Sequence, residues 1–126
     1  EEKIKNLNLE NKVLLAGMQK DMQAWYSLFD LFLFPSVFEG LSVALLEAQA
    51  NGIPIVSSDR VSPDEIKINP NVKFISLHND KEYWIKEIVN SSNHSRISSK
   101  EVENNFRKQG YEITSAATKV EEMLLR

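Results

Sequence analysis

The chain contains no cysteine. That removes a disulfide framework, a thiol nucleophile and any cysteine-ligated zinc site, and it fits a reducing compartment. Histidine is scarce as well. His78 and His94 stand alone in polar stretches, with no carboxylate or serine placed to complete a triad, so both are expected at the surface. There is no surplus of basic residues: 15 Lys and Arg stand against 18 Asp and Glu, for a net charge of -3. With no basic cluster either, the balance argues against nucleic acid as a partner. No apolar run approaches the roughly 20 residues that cross a bilayer, and the acidic opening EEKIKNLNLE lacks the form of a signal peptide. Cytoplasm is the expected location. Asn90 and Asn93 head N-x-S triplets, which carry meaning only in a secreted protein.

What is present reads as one soluble domain. The 126 residues are 42% hydrophobic and 26% charged, enough for a single core that buries roughly two-thirds of the unfolded surface. Four short apolar, partly β-branched runs recur: KVLLAG (12–17), LFLFPS (31–36), IPIVSSD (53–59) and VKFISL (72–77). Their near-continuous hydrophobicity suits strands of a parallel sheet covered on both faces. Helical patterns separate them. QKDMQAWYSLFD places Met22, Trp25, Tyr26 and Phe29 at three- and four-residue spacings, and LSVALLEAQAN is closed by Asn51-Gly52. Trp25, like Trp84, is expected in the core. Downstream, KEYWIKEIV, a segment from about Ser99 to Lys108 stopped by Gly110, and ITSAATKVEEMLLR read as helices, with a serine- and asparagine-rich loop between 90 and 99. The expected fold is α/β: a Rossmann-like open parallel sheet of about four strands with flanking helices and a helical C-terminal tail.

Two carboxylates stand out in the stretch FPSVFEGLSVALLEAQANGIPIVSSD, residues 34–59: Glu39 and Glu47, with seven residues between them in an otherwise apolar run. If the helix begins near Leu41 or Ser42, Glu47 lies in its second turn and leans back toward the helix N-terminus, toward Glu39. Glu39 then belongs to the loop after the second strand, beside Gly40, where ligands of open α/β sheets bind. Between the two acids, the free N–H groups of Gly40, Leu41 and Ser42 offer an anion site. Acceptors for hydroxyls on either side of an anion site describe a nucleotide sugar. The competing reading is a capping box, Ser36-Val37-Phe38-Glu39, in which Glu39 only satisfies backbone donors while Glu47 sits at the solvent edge. That box would put Gly40 inside the first turns at a cost of about 1 kcal/mol relative to alanine. A helix starting after Gly40 is the better fit.

The same block resembles the signature of glycosyltransferase family 4, the group 1 glycosyltransferases of GT-B fold, whose nucleotide-binding domain carries a Glu, seven residues, Glu motif. The likeness runs through aromatic-Pro-Ser, Glu-Gly, the second Glu, Asn-Gly, Pro and the strand IVSSD, and upstream into KVLLAG and AWYSLFDLFLFPS. Downstream, DEIKINPNVKFISLHNDKEYWIKEI resembles the exopolysaccharide and capsule branch. The resemblance implies that Glu39 is the catalytic-site carboxylate contacting the donor sugar's hydroxyls. Gly40, Leu41 and Ser42 would meet the diphosphate or sugar, Glu47 the ribose, and Met18 and Gln19 the base. It implies a retaining transferase without a metal or other cofactor, in which protein donors and a helix N-terminus stabilise the leaving diphosphate. A nucleotide sugar, with UDP as the expected carrier, is the implied donor. A saccharide or lipid-linked acceptor is implied too, with peripheral association at the inner face of the membrane. Two rival readings stay open: a nucleotide-binding regulatory domain of flavodoxin-like kind that has no need of Glu39, and an epimerase or phosphorylase of the same fold.

The chain departs from the family pattern in two places. An acceptor domain, a first strand-helix-strand unit and a basic pair that grips the diphosphate have no counterpart, so residues 1–126 read as a partial C-terminal nucleotide-sugar-binding domain, beginning in the helix before KVLLAG and inactive alone. In that family fold two further strands separate KVLLAG from LFLFPS. The expectation is that these runs pair directly, or that an exposed edge recruits a second copy as a homodimer. After Asp59, Arg60-Val61-Ser62-Pro63 replaces the family's Gly-Gly, which implies altered donor or acceptor contacts.

Overall fold

Ile55–Ser58 is buried at every position, as only a central strand can be, and it lies in the middle of the sheet. The computed structural model describes residues 1–61 and 66–111. The helix expected over ITSAATKVEEMLLR and the Ser62-Pro63 pair lie outside the described residues. The described sheet has three strands, β1 (Phe32–Phe34), β2 (Ile55–Ser58) and β3 (Val72–Ile75), in the order β1-β2-β3. Both pairings are parallel, with Phe32 beside Ile55 and Ile55 beside Val72. Parallel neighbours need a long crossover between them. The β1-to-β2 crossover carries the helix of greatest interest here, Val43–Ala50.

Five helices are described: α1 (Glu2–Asn6), α2 (Met22–Leu28), α3 (Val43–Ala50), α4 (Lys81–Ser92) and α5 (Ser99–Lys108). Three begin at a side chain that caps a free backbone donor. Asp21 accepts from the Ala24 N–H at 3.0 Å, Asp80 from Tyr83 at 2.8 Å and Ser98 from Glu101 at 3.3 Å. Glycine ends the expected helices at Gly52 and Gly110, whose φ values of 69° and 79° lie in the left-handed region. Gly52 is held further still. A side chain there would put its Cβ 2.5 Å from the Ile97 carbonyl oxygen, while the Gly52 carbonyl accepts from the Ile97 N–H at 2.9 Å.

The expected open parallel sheet is present, with one correction: KVLLAG forms no strand. Residues 13–16 have no regular structure, and Val13, Leu14 and Leu15 are exposed, Leu14 at 77%. A strand exists only through its ladder, and among the described residues no neighbour runs beside this segment. The core lies between α2, α3 and the sheet, where Tyr26, Leu45, Ala48, Ile53, Ile55, Val61, Ile66 and Val72 pack together. Trp25 and Trp84 are half-buried rather than central. Trp25 tilts against Phe29 at 6.5 Å, and the Trp84 indole donates to the Ser76 carbonyl at 3.2 Å.

Two serines of β2 fix the exit of β1. The Ser57 hydroxyl donates to the Phe34 carbonyl at 3.1 Å, and the Ser58 hydroxyl donates to the Ser36 carbonyl. The loop that follows therefore leaves the carboxyl end of the sheet from an anchored start.

Candidate functional site

That loop carries Glu39 to the amino end of α3. Ser42 is the N-cap residue, extended at φ -80° and ψ 105°, and α3 begins at Val43. The helix thus starts after Gly40, and the capping-box reading of Ser36 and Glu39 does not apply. Instead the Ser36 hydroxyl lies 3.3 Å from both the Phe38 carbonyl and the Glu39 carboxylate. It has one proton to give, and the two acceptors share it. Glu39 is half-buried; Gly40 is exposed, with open space where a side chain would stand.

The start of α3 is chemically bare. Ser42 is buried but makes no side-chain cap, and the first turn, Val43-Ala44-Leu45, contains no acid. The first N–H groups of any helix lack intrahelical acceptors and share the positive end of its dipole. Here neither a side-chain cap nor an acid in the first turn offsets that field.

Glu47 occupies the second turn, exposed, and its carboxylate is held by α2. The Tyr26 hydroxyl lies 3.3 Å from Glu47 Oε2 and 3.3 Å from the Ala44 carbonyl. Tyr26 itself is 2% exposed, its ring edge-on to Phe29 and Phe32. Burial, then the Glu47 charge and hydrogen bond, push the phenol up to about 12. Tyr26 and Glu47 share a cleft of about 290 Å³ between α2 and α3 with Met22, Gln23, Ala50 and Asn51. The structure therefore joins Glu47 to α2, and Glu39 to Ser36. No hydrogen bond links the two glutamates among the described residues.

Met18 is 99% exposed. Gln19 is committed: its amide nitrogen donates to the Ala16 carbonyl, and its oxygen accepts from the Trp25 indole at 3.1 Å. Gly17, at φ 65°, makes the sharp turn that allows this. His78 and His94 are exposed, as their isolation implies.

Sequence reasoning missed the residues that hold this arrangement. Arg96, in the polar loop, donates to the carbonyls of Tyr26 at 2.8 Å, Ser27 at 2.9 Å, Phe29 at 2.6 Å and Asn51 at 3.1 Å. One guanidinium thus closes the carboxyl ends of both α2 and α3. Its partners lie 45 to 70 residues away in sequence, so no local pattern announces it. Tyr26 was legible as an apolar-stripe residue, but its hydroxyl contact was not.

Among the described residues no group of three or more His, Cys, Asp or Glu side chains is gathered for a metal, and no helix is long and apolar enough to cross a membrane.

Residues 1–93 match the family described as "Glycosyl transferases group 1". EpsF of Bacillus subtilis, which bears the name of a glycosyltransferase, is 30% identical over 112 residues, 89% of this chain and 29% of that protein. A protein of Escherichia coli named UDP-Gal:alpha-D-GlcNAc-diphosphoundecaprenol alpha-1,3-galactosyltransferase is 27% identical over 122 residues, 95% of this chain and 31% of its own length. A Campylobacter jejuni protein named N-acetylgalactosamine-N,N'-diacetylbacillosaminyl-diphospho-undecaprenol 4-alpha-N-acetylgalactosaminyltransferase is 42% identical over 59 residues, 47% of this chain and 16% of its own length. The chain spans less than a third of the length of these relatives.

Proposed function

Since this chain belongs to the group 1 glycosyltransferases, we propose that it forms part of the nucleotide-sugar-binding domain of a longer, retaining glycosyltransferase acting in bacterial surface polysaccharide synthesis. The observation that carries this reading is the bare amino end of α3 between a half-buried Glu39 and a Tyr26-held Glu47, set beyond the carboxyl end of parallel strands. An anionic diphosphate fits the loop N–H groups of Gly40, Leu41 and Ser42, which lead into the uncapped start of α3 at Val43. Glu47 accepts from the ribose hydroxyls and Glu39 from those of the donor sugar. Met18 lies beside the base; Gln19 only shapes that loop, because its amide is already engaged.

Stabilisation of the leaving diphosphate then comes from backbone donors and the helix field, with no metal called for. UDP is the proposed carrier and a lipid-linked saccharide the proposed acceptor, in keeping with the names of the Escherichia coli and Campylobacter relatives. The proposed location is the cytoplasm, peripheral at the membrane's inner face, where such an acceptor would be met. The 126-residue chain alone binds donor without transferring sugar.

The test is an NMR titration with UDP, GDP and several nucleotide sugars. Glu47→Ala weakens UDP itself, whereas Glu39→Ala weakens only the increment added by the sugar. Equal binding by wild type and both variants would remove the functional reading of both acids.

The edge of β1, which no described residue pairs with, and the exposed Val13-Leu14-Leu15 segment also support a homodimer of this chain, formed when a second copy pairs at that edge. Sedimentation should give a dimeric mass that Leu14→Lys returns to monomer. A monomeric wild type overturns it.

A further inference from the structure

Apart from the α3 terminus, the carboxyl ends of the strands open on a second concavity of about 720 Å³, lined by Val37, Phe38, Asp59, Arg60, Leu77 and His78. Every strand contributes a pair: Val37 and Phe38 follow β1, Asp59 and Arg60 follow β2, and Leu77 and His78 follow β3. The lining divides by chemistry. Its apolar part is dominated by Phe38, which is 83% exposed. A phenyl ring left in water forgoes the gain of burial, and none of the described residues covers Phe38.

The polar part is an ordered row. Arg60 Nε lies 3.8 Å from the Asp59 carboxylate, and Arg60 Nη2 donates to His78 Nε2 at 3.0 Å. A guanidinium has only donors, so Nε2 is the accepting nitrogen of that bond. The row therefore offers a carboxylate acceptor, a guanidinium donor and an imidazole. Because Asp59 offsets Arg60, it does not select for an anion.

An exposed aromatic face beside planar groups that both donate and accept is the chemistry of a pyranose site. The C–H face of the sugar covers the phenyl ring, and vicinal hydroxyls exchange hydrogen bonds with the planar side chains. We infer that this cleft binds a neutral hexopyranose ring, and that the ring belongs to the saccharide acceptor. The second half of that statement rests on the proposed function. Phe38 precedes Glu39 in the chain, so a ring seated on Phe38 lies beside the donor sugar assigned to Glu39. The substitution of Arg60-Val61 for the family's glycines then acts on the acceptor side.

The test is an NMR titration of the 126-residue chain with the methyl α-glycosides of glucose, galactose and N-acetylglucosamine, alongside glycerol, inorganic phosphate and UDP. The expected result is saturable shifts at Phe38, Asp59, Arg60, Leu77 and His78 with at least one glycoside. Phe38→Ala weakens that glycoside at least tenfold, about 1.4 kcal/mol, and Phe38→Trp restores it. UDP shifts stay unchanged in both variants. Absence of saturable glycoside shifts, equal shifts with glycerol, or the same shifts with phosphate would overturn the inference. The UDP arm separates the two readings. Glycoside binding without UDP binding leaves the cleft standing and removes the donor site, and the reverse result does the opposite.

Discussion

A glutamate on an exposed helical face ordinarily samples several rotamers, and ordering one to meet a ligand costs binding free energy. At Glu47 that ordering is already made. The Tyr26 hydroxyl holds one carboxylate oxygen, and the Tyr26 ring is itself fixed between Phe29 at 6.0 Å and Phe32 at 5.6 Å. The contact can be read spectroscopically. Ultraviolet titration should find Tyr26 ionising at about 12, above the ordinary value of 10.0, and Glu47→Gln should bring it down by removing the charge that opposes phenolate. The sign for stability follows from the raised value. The folded state favours the neutral phenol, so this contribution is intact below pH 10 and is lost as pH rises through about 12. Urea midpoints that stay flat across that interval would show the contact to be absent. Gly52 makes a steric prediction at the same scale. Gly52→Ala must hold alanine at φ 69° with its Cβ pressed on the Ile97 carbonyl. A loss of about 2 to 3 kcal/mol in urea unfolding is expected, and a loss within about 0.5 kcal/mol would refute the close approach.

Among the elements, α3 is held from its buried side by Gln49. The Gln49 side chain donates to the Ile66 carbonyl at 2.8 Å and accepts from the N–H groups of Ile68 at 2.8 Å and Asn69 at 3.0 Å. Asn69 in turn donates to the Gln49 carbonyl at 2.7 Å and accepts from Asn105 of α5 at 3.1 Å. A buried network with every member paired is rigid, and removing one member strands the rest. Gln49→Leu should therefore cost about 3 kcal/mol despite its similar volume. Hydrogen exchange should quicken first at the Ile68 and Asn69 amides. Unchanged protection there would refute the network. None of this was visible in LSVALLEAQAN, where Gln49 passes for a polar helix residue. The helices α2 to α5 announced themselves locally, α2 and α4 through apolar spacing, α3 and α5 through a glycine stop. The strands were legible only in part. The runs at 31–36, 53–59 and 72–77 share their pattern with 12–17, but the pattern states only that a segment can be buried in a sheet. Whether a neighbour arrives is decided elsewhere. The candidate site divides in the same way: Glu39, Gly40 and the helix start could be placed by a glycine argument, whereas the Tyr26 and Ser36 partners needed the fold.

For the whole molecule, the telling feature is where its support lies. The family match covers residues 1–93, and every residue assigned to the donor falls inside it. Arg96, which grips the last carbonyls of α2 and α3, falls outside, as does Ile97, whose N–H bonds the Gly52 carbonyl. A chain cut after residue 93 would keep both glutamates, the bare helix start and Tyr26, and lose what ties α2 to α3 at their far ends. It should unfold at a lower urea midpoint than the 126-residue chain, and Arg96→Ala in the full chain should reproduce part of the loss, about 2 kcal/mol. Equal midpoints for all three would show the brace to be idle. The stretch that declares ancestry and the stretch that can bear its own weight end at different residues, and anyone trimming this protein to its recognisable motif would keep the tool and discard the handle.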